Sequence, residues 1–206
     1  MKKYVMEFIG TFFLVVTIGL TSITPTIGPF APLAIGAILI VMVYTGGPIS
    51  GAHYNPAVTL GVYLSKKCPL TDVPFYLLAQ LLGAITAAYC VMCTTGATGI
   101  ASTIRTLPTF IAELLFTFAL VFVILNVAFS DRSKGNSYYG IAIGLTVLSG
   151  AYAVGSISGG AFNPAVTIGL ILMKLSTLST IGIYLASQFL ASILAWKAFQ
   201  LIESNE

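Results

Sequence analysis

The chain has 206 residues, of which 57% are hydrophobic and 7% charged, with a formal net charge of +3. Soluble domains are about half apolar and about one quarter charged, so this composition excludes an ordinary soluble domain and places the chain in a bilayer. The small positive charge, with no basic patch interleaved with aromatics, also argues against nucleic-acid binding.

A membrane-crossing helix needs roughly 20 mostly apolar residues, and six stretches qualify. The first, about 4–22, carries Glu7 in its middle and has no clear small-x-small cleavage site, so it reads as a retained span rather than a signal peptide. The second, about 31–46, is short and ends in glycine. The phrase GGPISGAHYNPAVTLGVYLSK follows from Gly46. Its Gly-rich opening predicts a non-helical turn; Asn55 is then a preferred N-cap, Pro56 suits the first helical position, and no breaker interrupts the apolar run before Lys66. At 1.5 Å per residue the helix predicted over 55–65 is roughly 15 Å long, half of a hydrocarbon core of roughly 30 Å. A third span is expected at about 74–93, a boundary near 98–107, and further spans at about 108–128 and 138–155, the latter again short and glycine-interrupted. The phrase GSISGGAFNPAVTIGLILMK, from Gly155, repeats the turn and starts a second half-helix over 163–173 at Asn163, Pro164 and Ala165, before a last span at about 178–199.

The duplication runs through the chain. Asn55, Lys66 and Gln80 recur as Asn163, Lys174 and Gln188 at an offset of 108, while Glu7 and Thr11 recur as Glu113 and Thr117 at an offset of 106. The single domain 1–206 thus reads as repeat 1, about 1–98, and repeat 2, about 107–206. Three spans per half is an odd number, so the second half enters the membrane from the opposite side. The expected fold is an all-α membrane protein of six transmembrane helices and two re-entrant half-helices, arranged as inverted repeats that build a site near the bilayer midplane.

Cytoplasmic loops carry the excess of Lys and Arg. Lys2, Lys3, Lys66, Lys67, Arg132, Lys134 and Lys197 fall on one side and only Arg105 and Lys174 on the other, so both termini are expected in the cytoplasm of a multi-pass cell (plasma or inner) membrane protein. Cys68, Cys90 and Cys93 are an odd, irregular set and the chain has one His, so neither a disulfide framework nor a metal site is expected, and no cofactor is implied.

Inverted symmetry brings the two Asn-Pro-Ala N-termini together at the centre, with their positive dipole ends converging. Irregular backbone at membrane depth is tolerated only where it is buried in protein or lines a water-filled cavity. The turns carrying Gly51, Ala52, His53, Gly159 and Ala161 therefore predict a row of carbonyls beside an aqueous path, each repeat supplying half of one pore. Asn55 and Asn163 are expected to cap their own half-helices through the side-chain oxygen and to aim amide N–H donors at a passing oxygen. Glu7 and Glu113 have two readings: proton-coupling carboxylates, or anchors accepting hydrogen bonds from the half-helix loops, the symmetric placement favouring anchors. His53 either lines the cytoplasmic mouth or only satisfies loop backbone. Gln80 and Gln188, grouped with the half-helix anchors, read as interhelical hydrogen-bond partners rather than as solute ligands.

On these marks (AHYNPAVT, the second Asn-Pro-Ala box, the paired Glu7 and Glu113, and the paired Gln80 and Gln188) the sequence resembles the aquaporin, or major intrinsic protein, family across nearly the whole chain. The resemblance implies an hourglass pore, a homotetramer with one pore per subunit, and passive movement of water or small neutral solutes such as glycerol, urea, ammonia or hydrogen peroxide. It also implies an outer selectivity ring of four side chains, which falls on Ile35, Ala151, Gly160 and Val166. Family members that select water or conduct glycerol have Arg at the last position. Val166 stands there instead, so a wide apolar outer filter is expected, with the narrowest point shifted toward Asn55 and Asn163. The competing readings are an atypical solute pore with weak water flux, an ion-coupled transporter, and a non-conducting structural membrane protein; an enzyme is disfavoured, because no span presents a nucleophile, base and orienting group together.

Overall fold

In the computed structural model, which describes residues 1–24, 27–101 and 103–203, the first helix α1 (Lys2–Ile23) buries one stripe, including Glu7, Gly10, Thr11, Leu14 and Ile18, and shows the rest to the outside. The other α-helices among the described residues are α2 (Ala31–Ser50), α3 (Pro56–Leu64), α4 (Val73–Thr95), α5 (Thr106–Ile124), α6 (Tyr139–Ser158), α7 (Pro164–Leu172) and α8 (Ile181–Glu203), with a π-helical turn at Leu125–Phe129 prolonging α5. Six of these are long and apolar enough to cross a membrane. With 20 residues, α2 and α6 are about 30 Å long. Their outward faces carry large apolar side chains such as Val41, Leu145 and Tyr152, as a helix facing lipid requires.

In each half the first span packs on the second and third, α1 on α2 and α4, and α5 on α6 and α8, while α2 meets α6 across the pseudo-symmetry axis. Small residues allow the close crossings that membrane helices use. A Cβ added at Gly83 of α4 would stand 2.6 Å from the Phe8 carbonyl oxygen of α1. The half-helices interlock the repeats: α3 packs against α8 and α7 against α4, and Ser192 Oγ donates to the Ala57 carbonyl across 2.6 Å.

The chain ends share one face. Lys3 of α1 pairs with Asp72 at the start of α4, and Ser130 and Arg132 of the 129–137 loop bond to Glu203 at the end of α8. On the opposite face the Gly99 N–H donates to the Met173 carbonyl, tying the connection between the halves to the end of α7.

The second and fifth spans differ from the sequence expectation. GGPIS and GSIS are helical, so α2 and α6 continue to Ser50 and Ser158 instead of breaking at their glycines. In hydrocarbon an unbonded backbone group is costly, and helix is the conformation that satisfies it within the segment. Pro48 lies in the last turn of α2, where its missing N–H forgoes only one bond. The irregular turns shrink to 51–54 and 159–162, entered through Gly51 and Gly159 with left-handed φ of 83° and 84°.

Candidate functional site

Each re-entrant loop hangs from one carboxylate. Glu7 Oε1 accepts from Ser50 Oγ (2.7 Å) and the His53 N–H (2.9 Å), and Oε2 from the Tyr54 N–H (2.7 Å) and Gln80 Nε2 (2.8 Å). Glu113 repeats the set with Ser158, Ala161, Phe162 and Gln188 at 2.7, 3.0, 2.7 and 2.9 Å. Both carboxylates and both glutamines are fully buried. All four contacts on each carboxylate come from donors, which is the work of an anchor and leaves no free face toward a cavity. Gln80 and Gln188 also donate to Thr59 and Thr167, joining loop, half-helix and span.

With their N–H groups held inward, the loops turn their carbonyls the other way. Among the described residues the carbonyls of Gly51, Ala52 and His53, and of Gly159, Gly160 and Ala161, accept no hydrogen bond. Tyr54 and Phe162 sit at φ of 52° and 49°, a left-handed conformation costly for side chains of this size. The surroundings hold them there: their N–H groups are on the carboxylates and their carbonyls receive an amide from the other repeat.

That amide comes from the caps. Asn55 Oδ1 accepts from the Ala57 N–H at 2.8 Å and Asn163 Oδ1 from the Ala165 N–H at 2.8 Å, so each side-chain oxygen caps its own half-helix and Pro56 and Pro164 take the position where no N–H is needed. Asn55 Nδ2 donates to the Phe162 carbonyl at 2.9 Å and Asn163 Nδ2 to the Tyr54 carbonyl at 2.8 Å. The two half-helix N-termini therefore meet. One N–H of each amide is spent on the partner loop, which the sequence reading did not foresee, and one remains for a passing molecule.

Asn55 and Asn163 line a narrow central cavity with about 80 Å³ of room for the centres of water-sized molecules. By the same measure, larger vestibules of about 410 and 360 Å³ lie at its two ends, so the path has least room at its centre. Ile35, Ala151, Gly160 and Val166 all line the central cavity, as do Ala52, His53, Gly159 and Ala161; Gly51 lines the vestibule on the face of the chain ends. Ala57 and Ala165 are buried behind the caps. Cys68 is buried and Cys90 and Cys93 are exposed on α4, away from the path.

Sequence reasoning missed three groups. Leu14, Ile18 and Ser22 form a stripe of α1 along the cavity, legible in hindsight only through the helical spacing and the repeat offset. Tyr76 and Tyr184 donate to the Ser50 and Ser158 carbonyls, locking the last turns of α2 and α6. The Tyr54 and Phe162 carbonyls accept the crossed amides.

A six-span bundle whose two half-helices converge on one axial cavity is a membrane channel. The chain matches the family model described as Major intrinsic protein over residues 1–151 and 101–206. It is 34% identical to Aquaporin AqpM of Methanothermobacter thermautotrophicus, covering 99% of this chain and 98% of that protein, and 34% identical to Glycerol uptake facilitator protein-like 6 of Lactiplantibacillus plantarum, covering 95% of each. It is also 37% identical to Nodulin-26 of Glycine max over 82% of this chain and 66% of that one. In fold it is similar to the X-ray structure of the aquaglyceroporin from Plasmodium falciparum, with a TM-score of 0.80 at 23% identity over 95% and 93% of the two chains. The protein belongs to the major intrinsic protein family and is a multi-pass membrane protein.

Proposed function

We propose that the protein is a passive channel for water and small neutral solutes, among them glycerol, urea, ammonia and hydrogen peroxide. The observation that carries this reading is the meeting of the two caps: Asn55 and Asn163 face one cavity, each with an N–H left over, between two rows of unpaired carbonyls. A molecule in transit exchanges its hydration for carbonyl acceptors along the loops and for two donors at the midplane. The same donors and the converging helix dipoles oppose protons and cations, because an oxygen held by two donors is a poor proton relay.

In this reading the outer ring of Ile35, Ala151, Gly160 and Val166 is wide and offers no fixed cation. Both termini are cytoplasmic in the cell membrane, since the face that pairs Lys3 with Asp72 and Arg132 with Glu203 also carries the lysine-rich segments. The protein acts as a homotetramer of single-domain subunits, each built from repeats 1–98 and 107–206 and each with its own pore. The test is direction. In sealed proteoliposomes solute should equilibrate down its own gradient at a rate indifferent to an imposed proton or sodium gradient; uphill accumulation would assign the protein to coupled transport instead.

A further inference from the structure

The two halves correspond residue by residue along the path, and the correspondence gives the outer ring an inner mate. At an offset of 108, Ile35 corresponds to Ile143 and Val43 to Ala151, while Ala52 corresponds to Gly160 and Val58 to Val166. The inner set, Ile143, Val43, Ala52 and Val58, lines the same cavity on the other side of the caps. With Val at 166 the two rings are near copies. They differ at two of four positions, Val43 against Ala151 and Ala52 against Gly160, and at both the inner residue is the larger. A third difference adds to these: His53 stands on the inner side where the outer side has Ala161.

The residues at the two ends of the central cavity follow these differences. Outward it runs past the outer ring as far as Ser22, Gly159 and Leu170, which also line the outer vestibule. Inward it stops at Val43 and Ile143, the residues it shares with the inner vestibule. Gly51 and Ala128, the mates of Gly159 and Ser22, line that vestibule only. The inner junction is thus lined by the branched side chains of Val43 and Ile143, whereas the outer one is lined in part by Ser22 and by Gly159, which has no side chain.

His53 completes the neck, and its surroundings fix its chemistry. Its ring is packed by Tyr76 (centroids 4.9 Å apart) and by the edge of Phe129 (6.0 Å). Nδ1 lies 3.1 Å from Thr59 Oγ1. The Thr59 hydroxyl donates to the Asn55 carbonyl at 3.0 Å, as Thr167, with no histidine beside it, donates to the Asn163 carbonyl at 3.0 Å. Its one proton is thereby used, so Nδ1 carries the proton between ring and threonine, and Nε2 is a bare acceptor. Nε2 is the ring atom nearest Gly51: a Cβ built there would stand 3.3 Å from it, at the mouth of the inner vestibule.

We propose that the constriction that selects among solutes is this inner neck of Val43, Ile143 and His53, and that it favours compact neutral molecules able to donate an O–H or N–H to His53 Nε2. The proposal rests on the channel reading above and moves selection from the outer ring and the midplane to the cytoplasm-facing side. Its test is the glycerol-to-water permeability ratio of proteoliposomes by stopped-flow light scattering. Val43→Ala and His53→Ala should each raise the ratio several-fold, and Ile35→Ala, which opens the outer ring, should raise it less than either. An Ile35→Ala effect as large as theirs overturns the neck while leaving the channel intact; wild-type vesicles no faster than empty ones would defeat the channel reading and the neck with it. A second readout does not depend on flux. The chain has one His, so ¹⁵N-histidine-labelled protein in bilayers reports this ring alone. The proton should sit on Nδ1 with Nε2 unprotonated, and the reverse tautomer would overturn the acceptor role.

Discussion

Replacing Glu113 by Gln keeps the side chain's shape and removes one acceptor oxygen. Each carboxylate oxygen accepts two bonds, Oε1 from Ser158 and the Ala161 N–H, Oε2 from the Phe162 N–H and Gln188. Whichever oxygen becomes the amide NH₂, one backbone N–H, of Ala161 or of Phe162, then faces a donor, while the Ser158 hydroxyl or the Gln188 amide on the same oxygen can turn to accept. Leaving a buried donor unsatisfied costs about 1–3 kcal/mol, so the substitution should destabilise the protein by about that amount, a sizeable part of the total stability of about 5–15 kcal/mol of a typical protein. At least one freed donor lies in or beside the loop that aims the Gly159, Gly160 and Ala161 carbonyls, so flux should fall several-fold even where the fold survives. The assay pairs a thermal unfolding midpoint in detergent with water flux in proteoliposomes. Glu7→Gln should behave alike, because its four donors are the same in kind. A Glu113→Gln protein with wild-type midpoint and wild-type flux would refute the anchor argument.

Removing the amide with Asn163→Ala deprives the Ala165 N–H of its cap and the Tyr54 carbonyl of its donor, and should cost about 1–2 kcal/mol in stability while cutting flux; wild-type permeability in a folded variant would defeat the donor role. Val166→Arg returns a guanidinium to the outer ring and should lower the glycerol-to-water ratio, measured on the same vesicles, an unchanged ratio counting against a wide outer ring. Gly83→Ala drives a methyl to 2.6 Å from the Phe8 carbonyl oxygen, so α1 and α4 must separate, and the unfolding midpoint should drop by the equivalent of about 1–3 kcal/mol. An unshifted midpoint would mean that this crossing is slack.

The parts of the fold legible in the sequence were those written in local chemistry. Asn-Pro after a Gly-rich turn reads as a capped helix start, and the structure starts α3 at Pro56 and α7 at Pro164. The same local reasoning went astray at Gly46, Pro48 and Gly155, where breakers in water became tolerated residues in hydrocarbon, and the spans ran on to Ser50 and Ser158. Glu7 and Glu113 were findable because a lone carboxylate in an apolar helix demands partners, although nothing beyond the offset of 108 that they share marked Ser50 and Ser158 as two of those partners. The crossed amides were out of reach: Asn55 and Phe162 are 107 residues apart, and a backbone carbonyl has no identity in a sequence. Ser22 has no local mark of its own, yet the offset of 106 that pairs Glu7 with Glu113 also pairs Ser22 with Ala128 in the inner vestibule.

The central claim is that the cavity between Asn55 and Asn163 conducts passively, and the measurement closest to it is stopped-flow light scattering on proteoliposomes of the purified wild-type protein beside protein-free vesicles of the same lipid. An osmotic step with an impermeant solute reads water, and one with glycerol reads solute. The account predicts faster equilibration than in the empty vesicles for at least one of the two, proportional to the amount of protein and reduced in the Asn163→Ala protein. Vesicles containing folded protein that follow the empty-vesicle traces for both would contradict it.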